Sequence, residues 1–228
     1  MTDSDLTGGP GGFDAVLFDF GGVFIDSPFA VAEAAAAKLG LHPDELMAVV
    51  FGPYDSDTDH PWHRLERGEL SFDAARDEIR RLSLGAGTVE LDPMAVLAEL
   101  GSGGRGVREF MVDVVRDVRS TGVRTGVVTN NIAEFAEYWR PMIPLDELFD
   151  DVVDSSQVGL RKPDPAIYLL ACERLSVDPA RTVFVDDFDG NVVGAEAVGM
   201  VGVACGWTRE SSAEAALVLR GLLGLAGA

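Results

Sequence analysis

The sequence predicts an α/β protein in which a parallel β-sheet carries a small helical insertion after its first strand. Short, almost wholly apolar runs alternate with helical stretches through the second half of the chain, which is typical of βαβ units. About a hundred residues after the first run contain helical patterns but no convincing strand. With 228 residues, 47% of them hydrophobic, the chain suits one large domain or one domain with an insert.

The strands are predicted from their apolar runs. The first run is followed at once by Gly21 and Gly22. Runs of this length and composition suit strands of a parallel sheet that is covered on both faces. The predicted strands span 14–20, 123–129, 151–153, 181–187 and 200–204.

Helices are predicted between and after the later strands. Asp164-Pro165 reads as an N-cap followed by proline in the first turn, and Asp178-Pro179 has the same signal in a shorter turn. The predicted helices span 106–120, 132–140, 165–175, 191–198 and 211–223.

The stretch between the first two strands has more helices than a crossover needs. We interpret 26–95 as a helical cap, 13–25 with 96–228 as the core, and 1–12 as a flexible tail. The cap's second and third helical pieces flank a polar patch, GPYDSDTDHPWHRLERGE. The four helical pieces are 29–39, 43–51, 71–83 and 93–100.

Charge and cysteine content argue against several classes of partner and against a disulfide-bonded fold. Eighteen Lys and Arg residues against 38 Asp and Glu give a net charge of −20, which disfavours nucleic acid and anionic membranes but not a small phosphorylated ligand. The two cysteines, Cys172 and Cys205, are too few for a disulfide framework. The start of the chain does not read as a signal peptide, and no apolar stretch reaches the roughly 18 residues of a membrane span. We expect a cytoplasmic protein.

Polar residues stand where the predicted strands end. Asp19 follows the first strand, Thr129-Asn130 the second, and Asp186-Asp187 the fourth. The carboxyl ends of parallel strands meet at one edge of a sheet, so these side chains are expected to converge. Taken singly, Asp19 reads as a turn former and Thr129 as a helix cap, whereas adjacent buried carboxylates require a cation.

A lysine completes this set. Lys162 is one of only two lysines, with Lys38, among eighteen cationic side chains. Where arginine is the usual cation, a lysine suits a site that needs a compact point charge and not a planar guanidinium.

These residue types fit phosphoryl transfer. Asp19 would attack phosphorus to form an aspartyl-phosphate, with Mg²⁺ held between Asp19, Asp187 and the phosphoryl group. The Thr129 hydroxyl and the Asn130 backbone N–H would hold the other phosphoryl oxygens, and Lys162 would balance the charge of Asp19.

Four segments together resemble the haloacid dehalogenase superfamily over about 13–207. They are FDFGGV, VVTN, RKPDPAIY and VFVDDFDGN, in that order. Within it, the Gly-Gly pair, the ERGELS segment and the DDxxxN ending resemble sugar phosphatases of the bacterial α-glucose-1-phosphatase type and the phosphatase domain of soluble epoxide hydrolases. The resemblance implies a five-stranded, Rossmann-like core with a small helical cap and Mg²⁺-dependent hydrolysis of phosphate monoesters. The implied metal ligands are Asp19, the Gly21 carbonyl, Asp186, Asp187 and Asn191.

The sequence departs from the superfamily pattern at two positions. Gly21 stands where most phosphatases of this superfamily carry a second Asp as general acid, and Val23 stands in place of Thr. Protonation of the leaving group therefore has no obvious donor. Two alternatives stay open: a dehalogenase-like C–X hydrolase, and a regulatory protein with weak catalysis.

The polar patch of the cap is the candidate for substrate recognition. Trp62 and His63 could pack on, or bond to, a hydroxylated leaving group, with a sugar phosphate as one candidate. The alternative is a solvated loop in which Trp62 is only an apolar anchor.

Overall fold

The computed structural model describes residues 9–27, 35–85, 90–102 and 106–225. Its sheet has five strands, all parallel, in the order β3-β2-β1-β4-β5. The predicted α/β class with a five-stranded parallel sheet is confirmed. The strands are β1 (Ala15–Phe18), β2 (Arg124–Thr129), β3 (Asp151–Asp154), β4 (Thr182–Asp186) and β5 (Val201–Ala204).

Helices cover both faces of the sheet, which explains why the strands are apolar throughout. Val16 and Phe18 point to one face, in one cluster with apolar residues of the helices Glu109–Ser120 and Arg209–Leu222. Leu17 points to the other face, in a cluster with residues of Pro165–Leu175 and Asp189–Ala197. A strand buried on both sides cannot alternate between polar and apolar residues.

Two predicted helix starts are present. Asp164 caps the helix Pro165–Leu175 by accepting a hydrogen bond from the Ala166 backbone N–H at 2.8 Å, with Pro165 in the first turn. Asp178 caps the 3₁₀ turn Pro179–Arg181 in the same way.

The region around residues 132–148 is less regular than the sequence predicts. Instead of one helix over 132–140, short 3₁₀ and α turns follow one another, and Pro141 and Pro144 prevent a longer helix. These turns are Ala133–Phe135, Ala136–Trp139, Arg140–Met142 and Leu145–Leu148; a further short helix, Ser155–Val158, follows β3.

The insertion after β1 is helical in every element described within 35–85 and 90–102. Residues 35–39 are helical, while 29–34 of that predicted piece lie outside the described residues. The helices Pro43–Val50, Phe72–Gly85 and Pro93–Ser102 share a separate apolar cluster. The polar patch contains a helix that was not predicted, Pro61–Glu66, which starts at an unusual N-cap, His60, and buries Trp62 and Leu65.

The ends of the described chain lie side by side. Residues 1–8 of the predicted tail lie outside the described residues, and Pro10–Gly12 form a 3₁₀ turn. A Cβ atom on Gly11 would lie 2.0 Å from the Leu222 carbonyl oxygen, so this turn packs on the last helix. Within the described ranges, no helix is both long and apolar enough to cross a membrane. Cys172 and Cys205 are unpaired thiols.

Candidate active site

The predicted polar residues meet at the carboxyl edge of the two central strands. Asp19 continues β1 and its N–H donates to the Val185 carbonyl of β4 at 2.8 Å. Lys162 Nζ lies 2.7 Å from Asp19 Oδ1 and 2.6 Å from Asp186 Oδ2. One ammonium thus joins the residue after β1 to the last residue of β4.

Burial and charge act in opposite directions on Lys162. Burial by itself lowers the pKa of this lysine, but the Asp186 and Asp19 carboxylates more than offset it, so the pKa is raised. Lys162 therefore stays cationic at neutral pH.

Asp186 is fully occupied by donors. Besides Lys162, its carboxylate accepts from Asn191 Nδ2 at 3.1 Å on both oxygens and from the Phe188 backbone N–H at 2.9 Å. These bonds fix the position of Asp186 and leave it little capacity for another ligand.

Asp187 is placed differently, although it is the next residue. It is buried, and within the described residues its Oδ2 has no hydrogen-bond partner, as is also true of Asn191 Oδ1. Burial, followed by the neighbouring Asp186 and Asp19, raises the pKa of Asp187 well above its usual range. A buried carboxylate in that position is stabilised by a cation.

The three carboxylates form a possible metal-binding group. One oxygen each of Asp19, Asp186 and Asp187 lies within 4.8 Å of the others. Burial raises the pKa of Asp19 to about 6, while Lys162 acts in the opposite direction. Oxygen donors of this kind are those that Mg²⁺ prefers.

Thr129 and Asn130 lie beside these carboxylates on the same cavity. The Asn130 side chain donates to the Lys162 carbonyl at 2.9 Å and accepts from the Lys162 N–H at 2.8 Å. The loop after β2 is thereby fastened to the loop that carries Lys162.

The two glycines after Asp19 have different roles. Gly22 has a φ of 70°, and a Cβ atom there would lie 2.1 Å from the Asp187 carboxylate, so only glycine fits. Gly21 is not among the residues with positive φ, and it lines the cavity.

A cavity of about 540 Å³ opens above Asp19 between the core and the inserted helices. Trp62 lines it and also belongs to the apolar cluster of the inserted helices. His63 does not: it is fully buried, and its Nδ1 is 2.9 Å from the Thr58 hydroxyl. Burial lowers the pKa of His63 to about 3, so it is neutral. The structure thus places His63 outside the cavity, contrary to the expectation that it contacts the leaving group.

One buried pair at the cavity was not found by sequence reasoning. Glu66 Oε2 accepts from Arg161 Nε at 2.8 Å, and both side chains are almost fully buried. Glu66 Oε1 accepts from the Tyr54 hydroxyl at 2.7 Å and from Trp62 Nε1 at 2.9 Å. Glu66 opens the ERGELS segment, the one sequence signal that pointed to it, and Arg161 directly precedes Lys162.

This pair leads to a stability prediction. Arg161→Met leaves Glu66 as an uncompensated buried charge, so we expect the free energy of unfolding to fall by about 3–5 kcal/mol. Urea unfolding at pH 7.5 measures it. Arg161→Met/Glu66→Gln keeps an acceptor for Tyr54 and Trp62 without the charge, and should recover most of the loss.

The matched control for that prediction is an exposed arginine. Arg116 pairs with Asp113 at 2.8 Å, and both side chains are more than half exposed. Arg116→Met should therefore change the free energy of unfolding by about 1 kcal/mol or less. An Arg161→Met protein as stable as the Arg116→Met protein would contradict the assigned role.

This chain is similar to known proteins over most of its length. A family model described as haloacid dehalogenase-like hydrolase matches residues 13–199. A sesquiterpene phosphatase of Aspergillus oryzae is 28% identical over 84% of this chain and 89% of its own. Acyl-CoA dehydrogenase family member 10 of Mus musculus is 30% identical over 82% of this chain, which spans only 17% of that protein.

Solved structures agree on the fold. A haloacid dehalogenase family enzyme of Bacteroides thetaiotaomicron, in complex with magnesium, aligns with a TM-score of 0.60 at 20% identity. The alignment covers 87% of this chain and 96% of that one. With the family model matching from β1 to the residues before β5, and with the sheet order and site residues described above, this chain belongs to the haloacid dehalogenase-like hydrolases.

Proposed function

We propose that this hydrolase is a magnesium-dependent phosphatase that acts on a small phosphorylated metabolite through an aspartyl-phosphate on Asp19. The observation that carries the proposal is the pairing of Asp19 with Lys162 at 2.7 Å beside a second buried carboxylate, Asp187, with an unbonded oxygen. A nucleophile, a fixed cation and a place for a second cation are what phosphoryl transfer requires.

The residues present fit a divalent cation. The unpartnered, buried Asp187 Oδ2 and the three converging carboxylates are hard oxygen donors that lack compensating charge apart from Lys162. Asp19 and Asp187 would hold the ion with the Gly21 carbonyl. Asp186 would position Lys162, and Asn191 would position Asp186. When bound, the cation supplies neutralisation of charge on the phosphoryl oxygens.

The chain's own residues account for the covalent steps. An Asp19 oxygen attacks phosphorus, and the bond between phosphorus and the ester oxygen breaks, so that the leaving oxygen departs as an alkoxide and takes a proton from water. Water then attacks phosphorus, which releases inorganic phosphate and restores the Asp19 carboxylate. Lys162 would hold Asp19 in place, and the Thr129 hydroxyl and Asn130 N–H would bind phosphoryl oxygens.

Relatives support this proposal over the alternatives. The sesquiterpene phosphatase matches over most of both chains. A dehalogenase-like C–X hydrolase also needs an Asp nucleophile but has no use for an acidic cation site, so the Asp187 geometry disfavours it. A regulatory protein with weak catalysis would retain the site but release no product.

One assay separates the three functions. Purified protein is incubated with aryl, acyl and sugar phosphates and with 2-haloacids, in Mg²⁺ and in chelator. We expect phosphate release that chelator abolishes. Halide release in chelator would instead indicate the dehalogenase. If neither class of substrate gives a product, the regulatory protein is indicated.

The two adjacent acids should differ in their effect on the metal. We expect Asp187→Ala to raise the Mg²⁺ concentration for half-maximal activity by a factor of ten or more over Asp186→Ala. The physical reason is that Asp186 is already occupied by Lys162, Asn191 and Phe188. Mg²⁺ titrations of both variants measure this, with wild type as reference. Equal titration curves would show that the assignment within the pair is wrong.

A further inference from the structure

The cavity above Asp19 has one polar end and one apolar end. Charged side chains line it at the sheet edge, where Asp19, Lys162 and Asp187 lie. The rest of the lining comes largely from the inserted helices and the segment after β2. Its apolar members include Phe51, Trp62, Met94, Leu97, Ile132 and Phe135.

Two aromatic residues of this wall, Tyr54 and Trp62, direct their polar atoms to the protein and not to a ligand. Trp62 Nε1 and the Tyr54 hydroxyl both donate to Glu66 Oε1, at 2.9 and 2.7 Å. The other oxygen of Glu66 accepts from Arg161. These groups commonly bind hydroxyls, but here they satisfy one another and leave their rings to form the wall.

We propose that the leaving group is a long apolar alcohol, so that the substrate is an amphiphilic phosphate monoester and not a sugar phosphate. The proposal rests on the phosphatase function above and names its substrate class. A volume of about 540 Å³ is within the range of pockets that enclose a whole small molecule. The phosphate would lie against Asp19 and Lys162, and the hydrocarbon against Phe51, Trp62 and Ile132.

The effect of each methylene and each hydroxyl on binding can be estimated from transfer free energies. Each methylene moved from water into an apolar cavity improves binding about fourfold. A sugar hydroxyl that faces the apolar side chains of this wall, such as Phe51, Leu97 and Ile132, loses its water partner without gaining another, at a loss of roughly 5- to 150-fold each.

The test compares primary alkyl phosphates of equal chemical reactivity. Methyl, butyl, hexyl and octyl phosphate are assayed with Mg²⁺ below their critical micelle concentrations, beside glucose 6-phosphate. We expect kcat/KM to rise by up to fourfold per methylene until the cavity is filled, and glucose 6-phosphate to fall at least a hundredfold below hexyl phosphate. Faster hydrolysis of glucose 6-phosphate than of octyl phosphate, or no dependence on chain length, would overturn the inference.

A wall variant and a matched control locate the effect. Met94 lines the cavity and is 41% exposed, so a polar residue is tolerated there, whereas Leu169 is 47% exposed and lies elsewhere. Met94→Gln should flatten the dependence of kcat/KM on chain length, and Leu169→Gln should leave that dependence as in wild type. Equal behaviour of the two variants would contradict the assignment of the wall.

Failure of the proposed function is distinguishable from failure of this inference. No release from any ester, p-nitrophenyl phosphate included, would overturn the phosphatase. Calorimetric binding of ethyl- and octylphosphonate still tests the cavity in that case. Tighter binding of the octyl compound supports the apolar site, and equal affinity overturns it.

Discussion

Asp19→Asn should abolish phosphatase turnover while the protein stays folded. The amide has nearly the shape of the carboxylate but cannot attack phosphorus, so no aspartyl-phosphate forms. We expect no phosphate release above the rate without enzyme, for p-nitrophenyl phosphate at saturating Mg²⁺. Asp113→Asn is the matched control, because Asp113 is an exposed residue of the helix Glu109–Ser120 and should retain full activity.

The same variant tests the electrostatics of the site. Because burial raises the pKa of Asp19 to about 6, the folded protein at pH 8 holds a carboxylate that burial disfavours. A raised acid pKa lowers stability as the pH rises through that value, and a neutral amide removes this effect. In chelator at pH 8 we therefore expect the Tm of Asp19→Asn to equal or exceed that of wild type. Measurable turnover by a contaminant-free preparation would remove Asp19 from the nucleophile's role.

Gly21→Asp should accelerate the hydrolysis of esters with poor leaving groups. Wild type has no acid at this position, so the departing oxygen leaves as alkoxide or is protonated by water. A positioned general acid contributes typically 10²- to 10⁴-fold. The backbone permits the substitution, since the positive φ belongs to Gly22, and Gly21 borders the cavity.

The measurement is kcat/KM against the pKa of the leaving alcohol, for wild type, Gly21→Asp and Gly21→Asn. We expect a steep decline for wild type and for Gly21→Asn, which has the same size but no acid, and a shallower one for Gly21→Asp. Melting temperatures confirm that each variant is folded. A flat wild-type series, with a folded Gly21→Asp no faster, would mean that another residue is the acid. Asp26, which lines the cavity, would then be the first to replace; His63 is buried and neutral.

The sheet and the residues at its edge could be predicted because each depends on local sequence and one topological rule. A strand covered on both faces is apolar throughout, as β1 and β4 are, and the residue after it is brought to the common edge. Asp19 and Asp187, which are 168 positions apart by their numbers, could thus be placed together without any contact information.

The cap side of the site could not be predicted in the same way. Arg161 and Glu66 are 95 positions apart, and an arginine in a chain with this many arginines reads as a surface residue. Trp62 and His63 were both candidates for binding substrate, but the helix that contains them turns only Trp62 toward the cavity. Which side of a short helix faces the ligand depends on packing between distant segments.

The sheet order also determines when the site can form. The central strand β1 pairs with β2 and β4, which begin at Arg124 and Thr182. At a synthesis rate of about 5–20 residues per second, the chain waits roughly 8 to 35 s between completing β1 and completing β4. During that interval an apolar strand lacks a partner along one side, and contacts this distant in sequence form slowly. A chain stalled before Thr182 would contain Asp19 and Lys162 but lack Val185, which accepts from the Asp19 N–H, and Asp186, which pairs with Lys162. An N-terminal fragment that ends there should therefore be inactive and prone to aggregate.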